Sequence, residues 1–129
     1  MREAALQNQI RLALSKRGGC KLFRANVGRG WTGNDIQHID GALLIRDPRP
    51  LSSGLPAGYS DLTGYTMVEV TPDMVGSKVP VFTAIEVKTA SGRVSEAQQH
   101  FLDTVGADGA LCGVARSADD AANIINGII

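Results

Sequence analysis

The sequence predicts an α/β layered domain. Apolar residues at helical spacing open the chain, β-branched and alternating runs fill its middle, and a helix–strand–helix order closes it around one sheet. A length of 129 residues suits one domain spanning 1–129, and 43% hydrophobic residues suffice for one core with little stability in reserve. No internal repeat or low-complexity tract interrupts the pattern.

Residues 2–17 place Leu6, Ile10, Ala13 and Leu14 on one stripe, and Gly18-Gly19 stops the helix. Glu3 falls in line with that stripe, which aims a carboxylate toward the sheet side. Cys20 to Asn26 reads as a first strand with Leu22 in the core. Gly28 to Asn34 is too glycine-rich for regular structure and is expected to be a mobile loop. Its Trp31 either stacks on a base or packs on the domain. Gly41 to Ile45 is an expected edge strand, and residues 47–60, rich in proline and glycine, a second long loop. Leu62 to Val70 and Val81 to Lys88 are expected to form a hairpin through Thr71–Lys78. Ser95 caps a helix carrying Phe101 and Val105 and ending at Gly106. Ala110 to Ala115 is an apolar, central strand. Ser117 caps a last helix with Asp119 and Asp120 in its first turn and Ile124, Ile125 and Ile128 as its buried side.

Formal net charge is zero, but the distribution is uneven. Residues 1–50 hold nine Lys/Arg against four Asp/Glu, and residues 51–129 hold four against nine. A basic front serves a polyanion and an acidic remainder a divalent metal, although a solvated helix face is the plainer account of the first. Cys20 and Cys112 have neither metal-ligand nor C-x-x-C spacing, so idle thiols in a reducing compartment are expected. No apolar stretch is long enough to span a bilayer, and Met1-Arg2-Glu3 does not open a signal peptide. The expected location is the cytoplasm.

The chemistry concentrates on the run from Val81 to Lys88. Alternation along a strand puts Glu86 and Lys88 on one face, about 7 Å apart, with Ile85 and Val87 on the other. Asp61, in Ala57-Gly58-Tyr59-Ser60-Asp61-Leu62, enters another strand. Phosphodiester hydrolysis needs a nucleophilic water, neutralisation of the phosphorane's extra charge and help for the leaving alkoxide. Mg²⁺ or Mn²⁺ on carboxylate and carbonyl oxygens meets these needs, with Asp61, Glu86 and the Val87 carbonyl as ligands. Lys88 would orient or help deprotonate the water and hold the phosphate. Glu3 would serve a second metal or its water, and Gln98 would reach the phosphate or the water. Rival readings stand beside each: a surface ion pair for Glu86 and Lys88, a turn for Asp61, helix-dipole complementation for Glu3, and a Ser95-x-x-Gln98 capping box. His38 and His100 have no partner at ligand spacing.

Five stretches in order resemble the VRR-NUC group of the PD-(D/E)XK nucleases, particularly its small stand-alone, phage-type members. They are Arg2–Gln7, Phe23–Gly28, Gly54–Leu62, Ile85-Glu86-Val87-Lys88 and Gly92–Gln98, with Val114-Ala115-Arg116-Ser117 near the family's terminal strand-to-helix signature. Ser60 stands where the superfamily motif has its proline, a residue that shapes a turn and ligates nothing. The resemblance implies a restriction-endonuclease-like mixed β-sheet flanked by α-helices. It also implies a divalent-metal active site on Asp61, Glu86 and Lys88, with Glu3 and Gln98 at helix-borne positions. Stand-alone members resemble Holliday-junction resolvases and act as homodimers, and a two-fold axis suits a junction with two strands to cut.

The leading expectation is therefore a Mg²⁺- or Mn²⁺-dependent endonuclease for branched DNA, working in the host cytoplasm if phage-encoded. Arg11, Lys16, Arg17, Arg24, Arg29 and Arg93 are its expected nucleic-acid contacts. Two alternatives stay open: a less selective or flap- and end-directed nuclease, and a non-catalytic DNA-binding module of the same fold.

Overall fold

A computed structural model of the protein describes residues 2–25 and 29–127. Its elements are α1 (Glu3–Arg17), β1 (Cys20–Arg24), β2 (Arg29–Ile39), β3 (Ala42–Ser52), β4 (Leu62–Thr66), β5 (Thr83–Val87), α2 (Glu96–Ala107), β6 (Leu111–Ala115) and α3 (Ala118–Ile125), with a 3-10 turn at Pro72–Met74. The end of the expected first strand at Asn26, the start of the expected loop at Gly28, and Ile128 lie outside the described residues. The fold is α/β with mixed pairing, as the sequence predicts. Among the described residues the pairing is spread over three two-stranded ladders instead of one sheet. The chain divides into two compact units, residues 1–66 and 67–129.

In the first unit α1 packs on β1, and β1 runs antiparallel to β4 with Leu22 opposite Gly64 and Arg24 opposite Leu62. Phe23 and Tyr65 sit diagonally across this ladder, ring centroids 6.4 Å apart and tilted by 53°, a cross-strand aromatic pair. Ala25 N–H donates to the Asp61 carbonyl at 2.9 Å, so the ladder extends to the residue that precedes β4. The α1 stripe is less covered than its periodicity implies: Leu14 is half-buried, Leu6 and Ile10 remain exposed, and Glu3 is exposed in the first turn.

The expected glycine-rich loop and edge strand form a long antiparallel hairpin, β2 with β3. Asp40 and Gly41 turn it with φ of 45° and 75°, the backbone of a two-residue turn that matches strand twist. Gly33 belongs to the strand, not a loop. A Cβ there would lie 2.5 Å from the Arg46 carbonyl and from Ile45 Cγ2, so only glycine admits the opposing strand at this register shift. Asp35 and Asp47, both at positive φ, flank the same irregularity, and Arg46 pairs with Asp35 at 3.3 Å.

The second unit replaces the expected hairpin between Leu62–Val70 and Val81–Lys88. The earlier run ends as a strand at Thr66 and pairs with β1, and β5 pairs in parallel with β6. Pro72 and Pro80 remove donors that a hairpin ladder would need, and the intervening chain takes a 3-10 turn. Helix α2 carries the chain from β5 back to β6, the crossover a parallel pair requires. Its Leu102 and Val105, with Ala115 of β6, are the buried apolar residues among those described. Leu102 and Val105 contribute about 1.5–3 kcal/mol each at full burial. Leu102, not Phe101, thus shares the buried face with Val105, since Phe101 stays exposed. Ile124 is half-buried and Ile125 exposed, and among the described residues β6 has one hydrogen-bonded neighbour instead of the two of a central strand.

Candidate active site

Strand β5 alternates as expected, but its polar face is the covered one. Ala84, Glu86 and the following Lys88 are half-buried, while Thr83, Ile85 and Val87 are exposed, Val87 at 75%. The cover comes from α2: Ala84, Ile85, Glu86, Ala97, Gln98, Phe101 and Leu102 line a hollow of about 390 Å³ between the strand and the helix. A larger hollow, about 520 Å³, lies between α1 and β1 and brings Arg11 and Lys21 together.

Glu86 is gripped from two sides. Lys88 Nζ stands 3.4 Å from Glu86 Oε1, and Gln98 Nε2 donates to the same oxygen at 2.8 Å. The lysine and glutamate side chains are 21% and 29% exposed. An ordinary surface pair is worth under about 1 kcal/mol, but partial withdrawal from water raises the cost of stripping either partner. Both contacts fall on Oε1, so they fix the orientation of the carboxylate.

Gln98 both caps α2 and contacts Glu86, so the capping reading does not exclude a place at the site. Ser95 N–H donates to Gln98 Oε1 at 2.9 Å and Gln98 N–H to Ser95 Oγ at 3.1 Å, a complete capping box. Occupying the amide oxygen fixes which end of the side chain is free, and that end, the NH₂, meets Glu86. The local chemistry that starts α2 therefore also aims the amide.

The structure thus brings Glu86, Lys88 and Gln98 together within the second unit. Asp61 and Glu3 belong to the first unit, Asp61 exposed just before β4 and Glu3 exposed at the start of α1. Among the described residues β4 pairs with β1 and β5 with β6, so the expected hairpin that would join the two acidic strand ends does not form. Among the described residues no group of three or more His, Cys, Asp or Glu could hold a metal ion.

Of the expected nucleic-acid contacts, Arg11, Lys16 and Arg17 are exposed on α1, Arg24 ends β1, Arg29 begins β2, and Arg93 is exposed in the segment leading to α2. Trp31 is 62% exposed on β2, opposite Pro50, not in a loop. His38 lies in β2 and His100 in α2, and Cys20 and Cys112 are free thiols. No helix among the described residues is long and apolar enough to cross a membrane.

Sequence reasoning places Arg116 within Val114-Ala115-Arg116-Ser117 but gives it no role; it follows β6 and donates through Nη1 to the carbonyls of Thr89 and Gly92. That stretch was the available signal, and the partners of the guanidinium were not legible in it. Neither a curated protein nor a solved structure matches the chain. A family model described as the VRR-NUC domain matches residues 2–119, a stretch that holds Glu3, Asp61, Glu86, Lys88 and Gln98. The chain therefore belongs to the VRR-NUC domain family, a family of nucleases.

Proposed function

We propose that residues 1–129 act as a single Mg²⁺- or Mn²⁺-dependent DNA endonuclease domain, selective for branched DNA such as four-way junctions and working as a homodimer. The observation that carries the reading is the doubly held Glu86: a half-buried carboxylate with an ammonium and an amide on one oxygen. Neighbouring groups that orient a carboxylate in this way support its use as a ligand to a hard cation. Nucleases of this family generally use divalent metals.

Asp61, Glu86 and the Val87 carbonyl would hold the ion. When bound, it supplies Lewis acidity, lowering the pKa of a water and neutralising charge that develops on the phosphorane. Lys88 places a compact positive charge where the scissile phosphate and the attacking water meet, and releases Glu86 Oε1 in part as it turns to the phosphate. Gln98 holds the Glu86 carboxylate at its set angle, and Glu3 would add a further acid from α1. Arg11, Lys16, Arg17, Arg24, Arg29 and Arg93 would bind phosphates flanking the cut, and two sites on a two-fold axis would serve two strands.

The test is cleavage of end-labelled four-way junctions, flaps and linear duplex in Mg²⁺, in Mn²⁺ and in EDTA. Junctions should be cut fastest, EDTA should abolish cutting, and Lys88→Ala should lower the rate at least about 100-fold. Equal rates on linear and branched DNA would remove the structural selectivity, and cutting undiminished in Lys88→Ala or in EDTA would remove the mechanism. Tight junction binding without cleavage in either metal would identify a non-catalytic binding module.

A further inference from the structure

The segment between Lys88 and α2 has no regular structure of its own, yet it is closed and tied. Gly92 N–H donates to the Thr89 carbonyl at 3.1 Å and makes Thr89–Gly92 a tight turn. A Cβ on Gly92 would meet Thr89 Oγ1 at 3.2 Å and Lys88 Cβ at 3.4 Å, so the turn folds back against the lysine's own stem. Its carbonyls converge on one group: Arg116 Nη1 donates to Thr89 O, to Gly92 O at 2.8 Å, and reaches Ala90 O at 3.5 Å.

Arg116 is itself held. Its N–H donates to Asp120 Oδ2 at 2.8 Å, and Asp120 N–H in turn donates to the Ser117 hydroxyl that caps α3. One residue earlier, the Ala115 carbonyl accepts from Lys88 N–H at 3.1 Å, so the β5–β6 ladder sets Arg116 beside the turn. The chain of contacts runs from the first turn of α3 through Arg116 to the turn, and two residues of backbone then separate Gly92 from Ser95, the cap of α2.

We propose that Arg116 is a positioning residue for the nuclease site. Its guanidinium clamps the Thr89–Gly92 turn, fixes the backbone on which Lys88 stands and holds the start of α2 so that Gln98 meets Glu86. The chemistry selects arginine. All the contacts come from Nη1, whose two N–H bonds lie in the plane of a rigid guanidinium and point in fixed directions, whereas a lysine ammonium rotates freely on a flexible stem and holds the carbonyls less firmly. The role rests on the proposed reaction only for its readout, because the clamp exists whether or not the site turns over.

The test compares wild type with Arg116→Lys, Arg116→Ala and Gly92→Ala, the last of which strains the same turn from its other side. For each, single-turnover cleavage of a labelled junction, junction affinity in Ca²⁺, thermal midpoint, and hydrogen exchange of amides 89–99 are measured. The clamp predicts rates lowered about 10- to 100-fold, the range for groups that orient ligating side chains. Affinity should hold within about twofold. Exchange should be faster in the turn and at the start of α2, and the rate effects of Arg116→Lys and Gly92→Ala should be non-additive. Added ethylguanidinium should restore part of the rate to Arg116→Ala, a recovery that general destabilisation would not give. Rates unchanged in Arg116→Lys would overturn the proposal, as would a loss of affinity matching the loss of rate, which would make Arg116 a phosphate contact. If Arg116→Ala does not fold, Arg116→Lys and Gly92→Ala decide the question by the same criteria. A wild type that cuts nothing refutes the proposed function, while the exchange data still judge the clamp.

Discussion

The β5–α2 segment and the β2–β3 hairpin are both held by side-chain contacts at irregular backbone, yet they use them differently. Around β5 and α2 two polar groups serve more than one partner: Gln98 closes a capping box and grips the half-buried Glu86, and Arg116, just after β6, ties several carbonyls at once. In the hairpin the contacts are long and exposed: Asn34 meets Asp47 at 3.4 Å, and Asp35 is shared between Arg46 at 3.3 Å and Gln37 at 3.4 Å. Shared partners couple residues, so a change at one is felt at the others. Water screens exposed contacts and weakens such coupling, and the hairpin's shape rests on backbone conformation at Asp40, Gly41 and Gly33.

Substituting Gln98 should test this contrast most severely. Gln98→Glu keeps a good capping-box residue but sets a carboxylate against Glu86. Thermal stability should stay near wild type while the cleavage rate falls about 10- to 100-fold. Loss of stability without loss of rate would show that Gln98 only caps. Ser95→Ala comes next: it removes the cap and frees the amide oxygen of Gln98, costing about 1 kcal/mol in chemical denaturation. Because the same hydroxyl helps aim the amide, the rate per folded molecule should fall with it. Gly41→Ala should have the smallest functional effect. Forcing a side chain into the left-handed turn costs about 1–2 kcal/mol of stability, but cleavage per folded molecule should be unchanged. A rate loss there would mean that the hairpin, too, is coupled to chemistry.

What the sequence made legible follows the same division. The caps at Ser95 and Ser117 could be read because their donors and acceptors lie three residues apart in the chain. Glu86 and Lys88 could be read because alternation along a strand is a local rule. Gln98 was found, but its two roles looked like alternatives, since nothing local says that one amide can satisfy both with opposite ends. The hairpin was hidden by its glycines, although Asp40-Gly41 between apolar runs carried the turn signal. Strand partners were misassigned because pairing depends on distant residues: β4 turns back to β1 and β5 waits for β6. Arg116 was out of reach for the same reason, its carbonyl partners lying 24 to 27 residues away.

The parallel pairing of β5 with β6 through α2 has a consequence for how the site comes into being. Glu86, Lys88, Gln98 and Arg116 all lie on one strand–helix–strand excursion, so a single chain closure completes the set. Neither strand can pair before α2 has carried the chain back, and once it has, Arg116 arrives beside the turn that follows Lys88. The Glu86–Lys88 pair and the Ser95–Gln98 cap are local and need no such closure, so these contacts form at two ranges: the near ones as soon as strand and helix exist, the clamp only when β6 has joined β5.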